Sequence, residues 1–179
     1  MSARSEALFV GGRSGAGKSS VGNELHAQLS AAGVRHCLID GDVLDMAHPS
    51  PWEHGLAERN LAAMWANYRA LAYRRMIYTN TAAVLEDAMD RLTAAMDDAP
   101  KVTAVLLTCT DETARRRLSQ REIGSALDRH VERSAEMARA LNVAPSWVHR
   151  VRTDDRLVAE IATEIIGLVG WLSPESQVD

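Results

Sequence analysis

The stretch from residue 12 to residue 19, Gly-Arg-Ser-Gly-Ala-Gly-Lys-Ser, constrains the fold of this chain more than any other feature. It matches the pattern Gly-x-x-x-x-Gly-Lys-Ser/Thr at every fixed position, directly after an apolar run over residues 7–11. Glycines let successive backbone N–H groups curl around a phosphate, and the positive end of a following helix points at the same anion. The stretch therefore predicts a strand, a phosphate-binding loop and a helix that together hold a nucleoside triphosphate.

The side chains of this loop have predicted roles of their own. Lys18 reaches the β- and γ-phosphates, and the Ser19 hydroxyl is a ligand for Mg²⁺. No Asn-Lys-x-Asp guanine signature occurs in the sequence, which argues against a GTPase. We therefore predict ATP and Mg²⁺ as cofactors. The residues expected to contact the nucleotide here are Gly12, Arg13, Ser14, Gly15, Ala16, Gly17, Lys18, Ser19 and Ser20.

Short apolar runs alternate with helical segments along the whole chain. The runs cover residues 7–11, 36–39, 76–79, 102–109 and 148–151, and each is continuous rather than alternating, as in strands buried on both faces. Five strands alternating with helices predict an α/β fold with a five-stranded parallel sheet and helices on both faces. The chain contains no internal repeat or Pro/Gly-rich linker, so we predict one domain over residues 1–179.

The helical segments are recognised by apolar residues three or four positions apart. In the last segment the predicted buried face is Leu157, Ile161, Ile165, Leu168 and Leu172. Trp65 and Tyr68 follow a loop-like stretch rich in Met, Pro and His, and they are expected to belong to the core. The stretch itself, residues 44–59, is expected to lie where a partly apolar acceptor enters.

Composition excludes several classes of protein. There are 20 Lys and Arg residues against 24 Asp and Glu, a formal net charge of −4, which argues against a nucleic-acid or anionic-membrane binder. No apolar stretch reaches the roughly 18 residues of a membrane span. Cys37 and Cys109 lie in apolar runs and are read as reduced core residues. A cytoplasmic protein with neither a nucleic-acid nor a membrane partner is expected.

Two carboxylates follow the second predicted strand, in the sequence Asp40-Gly41-Asp42. Ligands of parallel sheets bind beyond the carboxyl ends of the strands, so both are expected near the phosphate loop. Asp40 is expected to hold the water shell of Mg²⁺, and Asp42 to face an acceptor hydroxyl as a base or orienting group. The alternative is a polar turn, in which Asp and Gly are common.

Four arginines follow the fourth strand in two pairs, each with a spacing of four. The pairs are Arg117 with Arg121 and Arg129 with Arg133, separated by a stretch that contains Gly124. They predict a short helical lid over residues 117–133 that closes on a triphosphate and neutralises charge on the transferring group. The alternative is a solvated helix face on which arginines pair with neighbouring acidic residues.

Together these features resemble the small-molecule and nucleotide kinases of the P-loop class. The sequence Ile-Asp-Gly-Asp at residues 39–42, with Glu58-Arg59-Asn60 later, looks most like adenylylsulfate kinase. The paired aspartates are similar to those of shikimate kinase, and the Gly-Gly-x-Ser-x-Ala-Gly-Lys-Ser loop is similar to those of gluconate kinase and chloramphenicol phosphotransferase. The resemblance implies a three-layer fold like that of nucleoside-monophosphate kinases.

The resemblance also implies roles for residues outside the phosphate loop. Arg117 is expected to stack on adenine, while Arg121 and Arg133 act catalytically on the transferring charge. The residues expected to contact the acceptor are Asp42, Arg59, Asn60, Asn80 and Arg129. The sequence departs from these relatives after Asp42, where it reads Val-Leu-Asp instead of Asn-x-Arg. The class of enzyme is therefore predicted, and the acceptor stays open.

The leading interpretation is a phosphotransferase that moves the γ-phosphate of ATP to a hydroxyl of a small molecule, such as a metabolite, a nucleoside, a nucleotide or an antibiotic. The alternative is a nucleotide-binding regulatory protein or slow ATPase without an acceptor. A kinase of nucleic-acid 5′ ends is a third class, and the acidic net charge counts against it.

Overall fold

The computed structural model of the chain describes residues 4–120 and 123–173. Its strands are β1 (Glu6–Gly12), β2 (Cys37–Asp40), β3 (Arg75–Thr79), β4 (Lys101–Thr108) and β5 (His149–Arg152). They form one parallel sheet in the order β2-β3-β1-β4-β5, with β1 at its centre. The predicted five-stranded α/β fold is confirmed, and each strand end lies within one residue of the predicted position.

The described residues form six α-helices beside the sheet. They are α1 (Lys18–Ala31), α2 (Leu56–Ala70), α3 (Glu86–Met96), α4 (Asp111–Ser119), α5 (Ser125–Ala140) and α6 (Val158–Val169). Short 3₁₀ turns cover Gly41–Val43, Trp52–His54 and Leu141–Val143. Helices α1 and α6 pack against each other on one face, and α2 and α3 on the other. Within the described part of the chain, no helix combines the length and the apolar character needed to cross a membrane.

The central strand β1 contributes to two separate cores. Phe9 packs into the core beneath α2 and α3, whereas Leu8 and Val10 pack into the core beneath α1 and α6. All three are fully buried, because a strand covered on both faces alternates its side chains between two apolar layers. Trp65 belongs to the first core, as predicted, with 1% of its surface exposed and its indole N–H donating to Asp98 at 3.1 Å.

The buried face of α6 differs from the prediction. Leu157 and Leu168 are exposed, and Leu172 lies beyond the last residue of the helix and is exposed as well. The face that packs on the sheet consists of Ile161, Ala162, Ile165, Ile166 and Val169. Because this helix is apolar around most of its circumference, residue spacing alone allows two faces, and packing against α1 selects one.

Candidate active site

The phosphate loop connects β1 to α1 and contacts α4 closely. Gly15 has a φ of +86°, and a Cβ atom there would lie 2.9 Å from both the Cα and the carbonyl oxygen of Ala114 in α4. Gly17 has a φ of +100° directly before α1 begins. Both positions therefore require glycine, for backbone conformation and, at Gly15, for space as well.

Two of the predicted catalytic residues meet at this loop. Lys18 is 8% exposed, and its Nζ atom lies 3.7 Å from Oδ2 of Asp42. The other carboxylate oxygen of Asp42 accepts hydrogen bonds from the Asn80 side-chain amide at 2.8 Å and from the Thr81 backbone N–H at 3.3 Å. The start of α1 and the segments after β2 and β3 thus place the lysine, the carboxylate and the amide in one group.

Asp40 and Gly41 shape the turn that presents Asp42. The Asp40 carboxylate accepts the backbone N–H of Asp42 at 3.0 Å and so caps the 3₁₀ turn that begins at Gly41. Any side chain at Gly41 would collide with the hydroxyl of Tyr78 on β3. Burial, and after it the charge of Asp42, raises the pKa of Tyr78, so this phenol stays protonated at neutral pH.

A cleft of about 410 Å³ runs along the phosphate loop. Its floor is formed by loop residues from Ser14 to Ser20, and Asp42 lies at one side. The remaining wall comes from α4 and the residue after it, α5, the segment after β5 and the start of α6, with Arg117, Leu118, Gln120, His130, Thr153, Arg156, Val158 and Ile161. The cleft therefore joins a phosphate-binding floor to a wall of mixed apolar and cationic side chains.

Arg117 lies in this cleft, where the sequence predicted a nucleotide contact. Its Nη1 donates to the carbonyl of Gly15 at 3.0 Å and to the hydroxyl of Thr153 at 2.9 Å. Its Nη2 donates to the carbonyl of Thr153 at 2.8 Å. The guanidinium is thus fixed to the loop and to the segment after β5. The sequence had instead predicted that Arg117 belongs to a mobile lid.

The side chain of Arg13 faces α4 and α5 rather than the cleft. It is 3% exposed, its Nε donates to the Ser134 hydroxyl at 2.8 Å, and its Nη1 pairs with Asp111. The sequence predicted a phosphate contact for Arg13, and the side chain does not line the cleft along the loop. Ser134 and Asp111 lie 121 and 98 residues away, so no local pattern could have revealed either partner.

A second cleft, of about 540 Å³, lies between the phosphate loop and α5. It shares Ser14 and His130 with the first cleft and reaches Thr81, in the segment after β3. Arg129 and Arg133 line it from α5, and among the described residues in its wall none is acidic. Two of the predicted lid arginines therefore face a space next to Asp42.

Two predicted site residues are not part of this group. Arg59 is exposed in a groove between α2 and α3, and Asn60 donates to the carbonyl of Leu44 at 2.6 Å. Asn60 thereby ties α2 to the turn after β2. Arg121 lies outside the described residues.

The oxygen donors beside the loop fit a Mg²⁺ ion. Ser19, the second residue of α1, has an exposed side chain, and Asp40 and Asp42 are hard carboxylate ligands of the kind that Mg²⁺ prefers. In the described ranges, no three His, Cys, Asp or Glu side chains form a cluster able to hold a metal alone.

Comparison with known proteins agrees with this geometry. The family model for adenylylsulphate kinase matches residues 4–63, from β1 into α2. An adenylylsulfate kinase from Mycobacterium tuberculosis, solved with AMPPNP and APS, is 21% identical with a TM-score of 0.60, over 93% of this chain and 98% of that one. The chain has the fold of the P-loop kinases. No curated protein matches its sequence.

Other solved proteins with this P-loop kinase fold are equally distant. A gluconokinase from Sinorhizobium meliloti is 22% identical with a TM-score of 0.59, covering 95% of this chain and 94% of that one. The tunicamycin resistance protein of Deinococcus radiodurans is 17% identical with a TM-score of 0.66, covering 93% and 96%. The matched family segment contains the phosphate loop and Asp40 to Asp42 but none of the arginines on α4 and α5.

Proposed function

We propose that this protein is an ATP-dependent phosphotransferase that moves the γ-phosphate to a hydroxyl of a small molecule. The observation that carries the proposal is the position of Asp42, whose carboxylate lies 3.7 Å from the loop lysine and is fixed by Asn80. With 40% of its side chain exposed, it is open to a ligand that enters beyond β2 and β3. A binding protein has no need of a held carboxylate at this place.

ATP would lie in the first cleft, with its phosphates along the loop. Lys18 and the loop N–H groups would counter the phosphate charge, and Arg117 would present one face of its guanidinium to the adenine. Ser19, with Asp40 through water, would hold Mg²⁺. When bound, the metal neutralises charge on the β- and γ-phosphate oxygens.

Asp42 would act on the acceptor. The acceptor hydroxyl would donate its hydrogen bond to the carboxylate and pass that proton to it as the new O–P bond forms. The bond between the γ-phosphorus and the bridging oxygen breaks at the same time, and ADP leaves. Asn80 would keep the carboxylate oriented, and Arg133 would stabilise charge on the transferring group.

The second cleft supports an acceptor that also carries an anionic group. Arg129 and Arg133 project into it, one helical turn apart on α5. A phosphate, sulfate or carboxylate would be matched there by guanidinium donors, while the reacting hydroxyl lies at Asp42. A neutral polyol would leave these charges without a ligand partner.

The experiment is a transfer assay with ATP labelled at the γ-phosphate. Candidate acceptors divide into hydroxyl compounds with an anionic group, such as adenylylsulfate, gluconate and shikimate, and neutral ones, such as nucleosides, sugars and antibiotics. We expect a labelled phosphorylated product from the first group. Release of inorganic phosphate alone across both groups would favour the slow ATPase, since water also has access to Asp42.

A further inference from the structure

Three successive carbonyl groups of the phosphate loop are held by side chains from outside it. The Ser14 carbonyl accepts the Ser134 hydroxyl of α5 at 2.7 Å, and the Gly15 carbonyl accepts Nη1 of Arg117 at 3.0 Å. The Ala16 carbonyl accepts the hydroxyl of Thr153, just after β5, at 3.0 Å. Three separate elements therefore fix consecutive peptide planes.

Fixing a carbonyl also fixes the N–H group of the next residue. The peptide unit is planar and trans, so its C=O and N–H bonds point in opposite directions. Holding the Ser14 and Ala16 carbonyls on the outer side of the loop consequently directs the N–H groups of Gly15 and Gly17 inward. Inward N–H groups are what such a loop offers to a phosphate. The N–H of Ala16 is used within the loop, by the Arg13 carbonyl at 3.1 Å.

The direction of the Ser134 hydrogen bond is determined by its neighbours. The hydroxyl has one proton, and the Nε atom of Arg13, 2.8 Å away, can only donate. Ser134 must therefore accept from Arg13 and give its own proton to Ser14. The residue is 2% exposed, so no water can readily replace it, and Asp111 holds Arg13 in turn.

The direction of the Thr153 hydrogen bond is determined in the same way. Thr153 is 1% exposed, and its hydroxyl accepts from Nη1 of Arg117 at 2.9 Å. Its proton is therefore free for a carbonyl, with Ala16 at 3.0 Å and Thr108 at 3.3 Å within reach. The shorter distance favours the loop carbonyl.

We infer that Ser134 and Thr153 are positioning residues, which orient the peptide groups of the phosphate loop so that its N–H groups are ready for a polyphosphate. The inference rests on the nucleotide-binding part of the proposed function and not on the acceptor. Helix α5 would then order the phosphate loop through Ser134, in addition to carrying the predicted lid arginines.

The test compares variants that keep or lose the hydroxyl at nearly constant shape. Binding of Mg²⁺·AMPPNP and of inorganic triphosphate, which lacks adenine, is measured by titration calorimetry well below the melting temperature. We expect Thr153→Val and Ser134→Ala each to weaken both ligands about tenfold, the loss typical of one hydrogen bond. Thr153→Ser, which keeps the hydroxyl, should bind both ligands as the parent protein does.

Each outcome decides the matter. Unchanged affinities in folded Thr153→Val would overturn the inference, since the loop would then be ordered without this hydroxyl. A loss of affinity for AMPPNP but not for triphosphate would overturn it as well, since the effect would then lie at the adenine. If Ser134→Ala does not fold, the Thr153 pair still decides. Failure of the parent protein to bind AMPPNP would overturn this inference and the proposed function together. Binding without transfer to any acceptor would overturn the transferase alone.

Discussion

The Nζ atom of Lys18 and the Oδ2 atom of Asp42 form a charged pair at 3.7 Å, across the gap between the phosphate loop and the end of β2. The ammonium group is buried and the carboxylate is partly exposed, so the pair lies at the mouth of the cleft. A triphosphate would therefore share this lysine with Asp42. Substitutions at the two positions are expected to be non-additive, because each removes the partner of the other.

Lys18→Ala should lower kcat for phosphotransfer by at least about 100-fold, because it removes the buried ammonium group that balances charge on the transferring phosphate. The measurement is steady-state transfer from ATP with the purified variant. Lys101, the only other lysine in the sequence, is exposed on β4 and provides the control. Lys101→Ala should retain normal turnover, and near-normal turnover in Lys18→Ala would contradict the phosphate-loop assignment.

Asp42→Asn should reduce kcat by roughly 10²–10⁴-fold while leaving ATP affinity nearly unchanged, since it removes a proton acceptor used in the transition state. Asp40→Asn should instead raise the Mg²⁺ concentration needed for half-maximal rate. Asp45→Asn, three positions after Asp42, is the matched control. If Asp42→Asn and Asp40→Asn weaken ATP binding equally, and neither changes the kinetics of the acceptor, the result would count against Asp42 as the base.

Arg133→Ala should lower kcat more than it raises the KM for ATP, and Arg129→Ala should mainly raise the KM for the acceptor. Both guanidinium groups face the second cleft, whereas Arg139, further along the same helix, lies at a different cavity. Arg139→Ala is therefore the control. If all three variants have the same kcat and KM values as the parent protein, Arg129 and Arg133 belong to a solvated helix face.

If residues 117–133 form the predicted lid, we expect only residues 125–133 to become more ordered on nucleotide binding. Arg117 is bonded to Gly15 and Thr153, and Ser134 is bonded to the loop, so both ends of that segment are held. We expect amide hydrogen exchange to slow over residues 125–133 when Mg²⁺·AMPPNP is added, with little change in α4 or after Ser134. A uniform slowing of amide hydrogen exchange from residue 111 to residue 140 would show that α4 and α5 move together.

Asp154→Asn should destabilise the protein by roughly 1–3 kcal/mol at neutral pH. Burial alone disfavours the charged carboxylate, but hydrogen bonds from the Thr110 N–H and hydroxyl and from Arg152 outweigh it and hold the pKa of Asp154 well below its ordinary 3.8. A lowered pKa stabilises the folded state above the unfolded value, and that contribution is lost as the pH falls below about 3.8.

Denaturant unfolding of both proteins from pH 7 to pH 3 tests this dependence. The difference between Asp154→Asn and the parent protein should be constant near neutrality and should shrink at the acid end. Asp155→Asn is the matched control, because Asp155 is exposed and Asn also accepts its φ of 52°. A difference that does not vary with pH would indicate that shape rather than charge matters at Asp154.

Sequence patterns sufficed for features that depend on neighbouring residues. The strands, the phosphate loop and the strand-end residues Asp42 and Asn80 could be located, because continuous apolar runs and the edge rule for parallel sheets fix their positions. The burial of Trp65 could also be predicted, because its helix has a distinct apolar face.

Contacts between distant residues could not be predicted in this way. Arg13 looked like a phosphate ligand because it lies in the loop, yet its partners are on α4 and α5. Arg59 and Asn60 were placed with the acceptor by resemblance, but the start of α2 turns Asn60 to Leu44 and Arg59 to a groove. The direction in which a helix presents polar residues depends on tertiary packing, which spacing alone does not contain.

The hydrogen bonds to the Ser14 and Ala16 carbonyls connect residues 120 and 137 positions apart in the chain. During synthesis the phosphate loop leaves the ribosome long before Ser134 and Thr153 do. A nascent chain would thus carry the complete motif while lacking the groups that set its shape, and ATP affinity would appear only after Ser134 and Thr153 have been made. For the same reason, a fragment that ends before α5 would contain every residue of the motif and still bind nucleotide poorly.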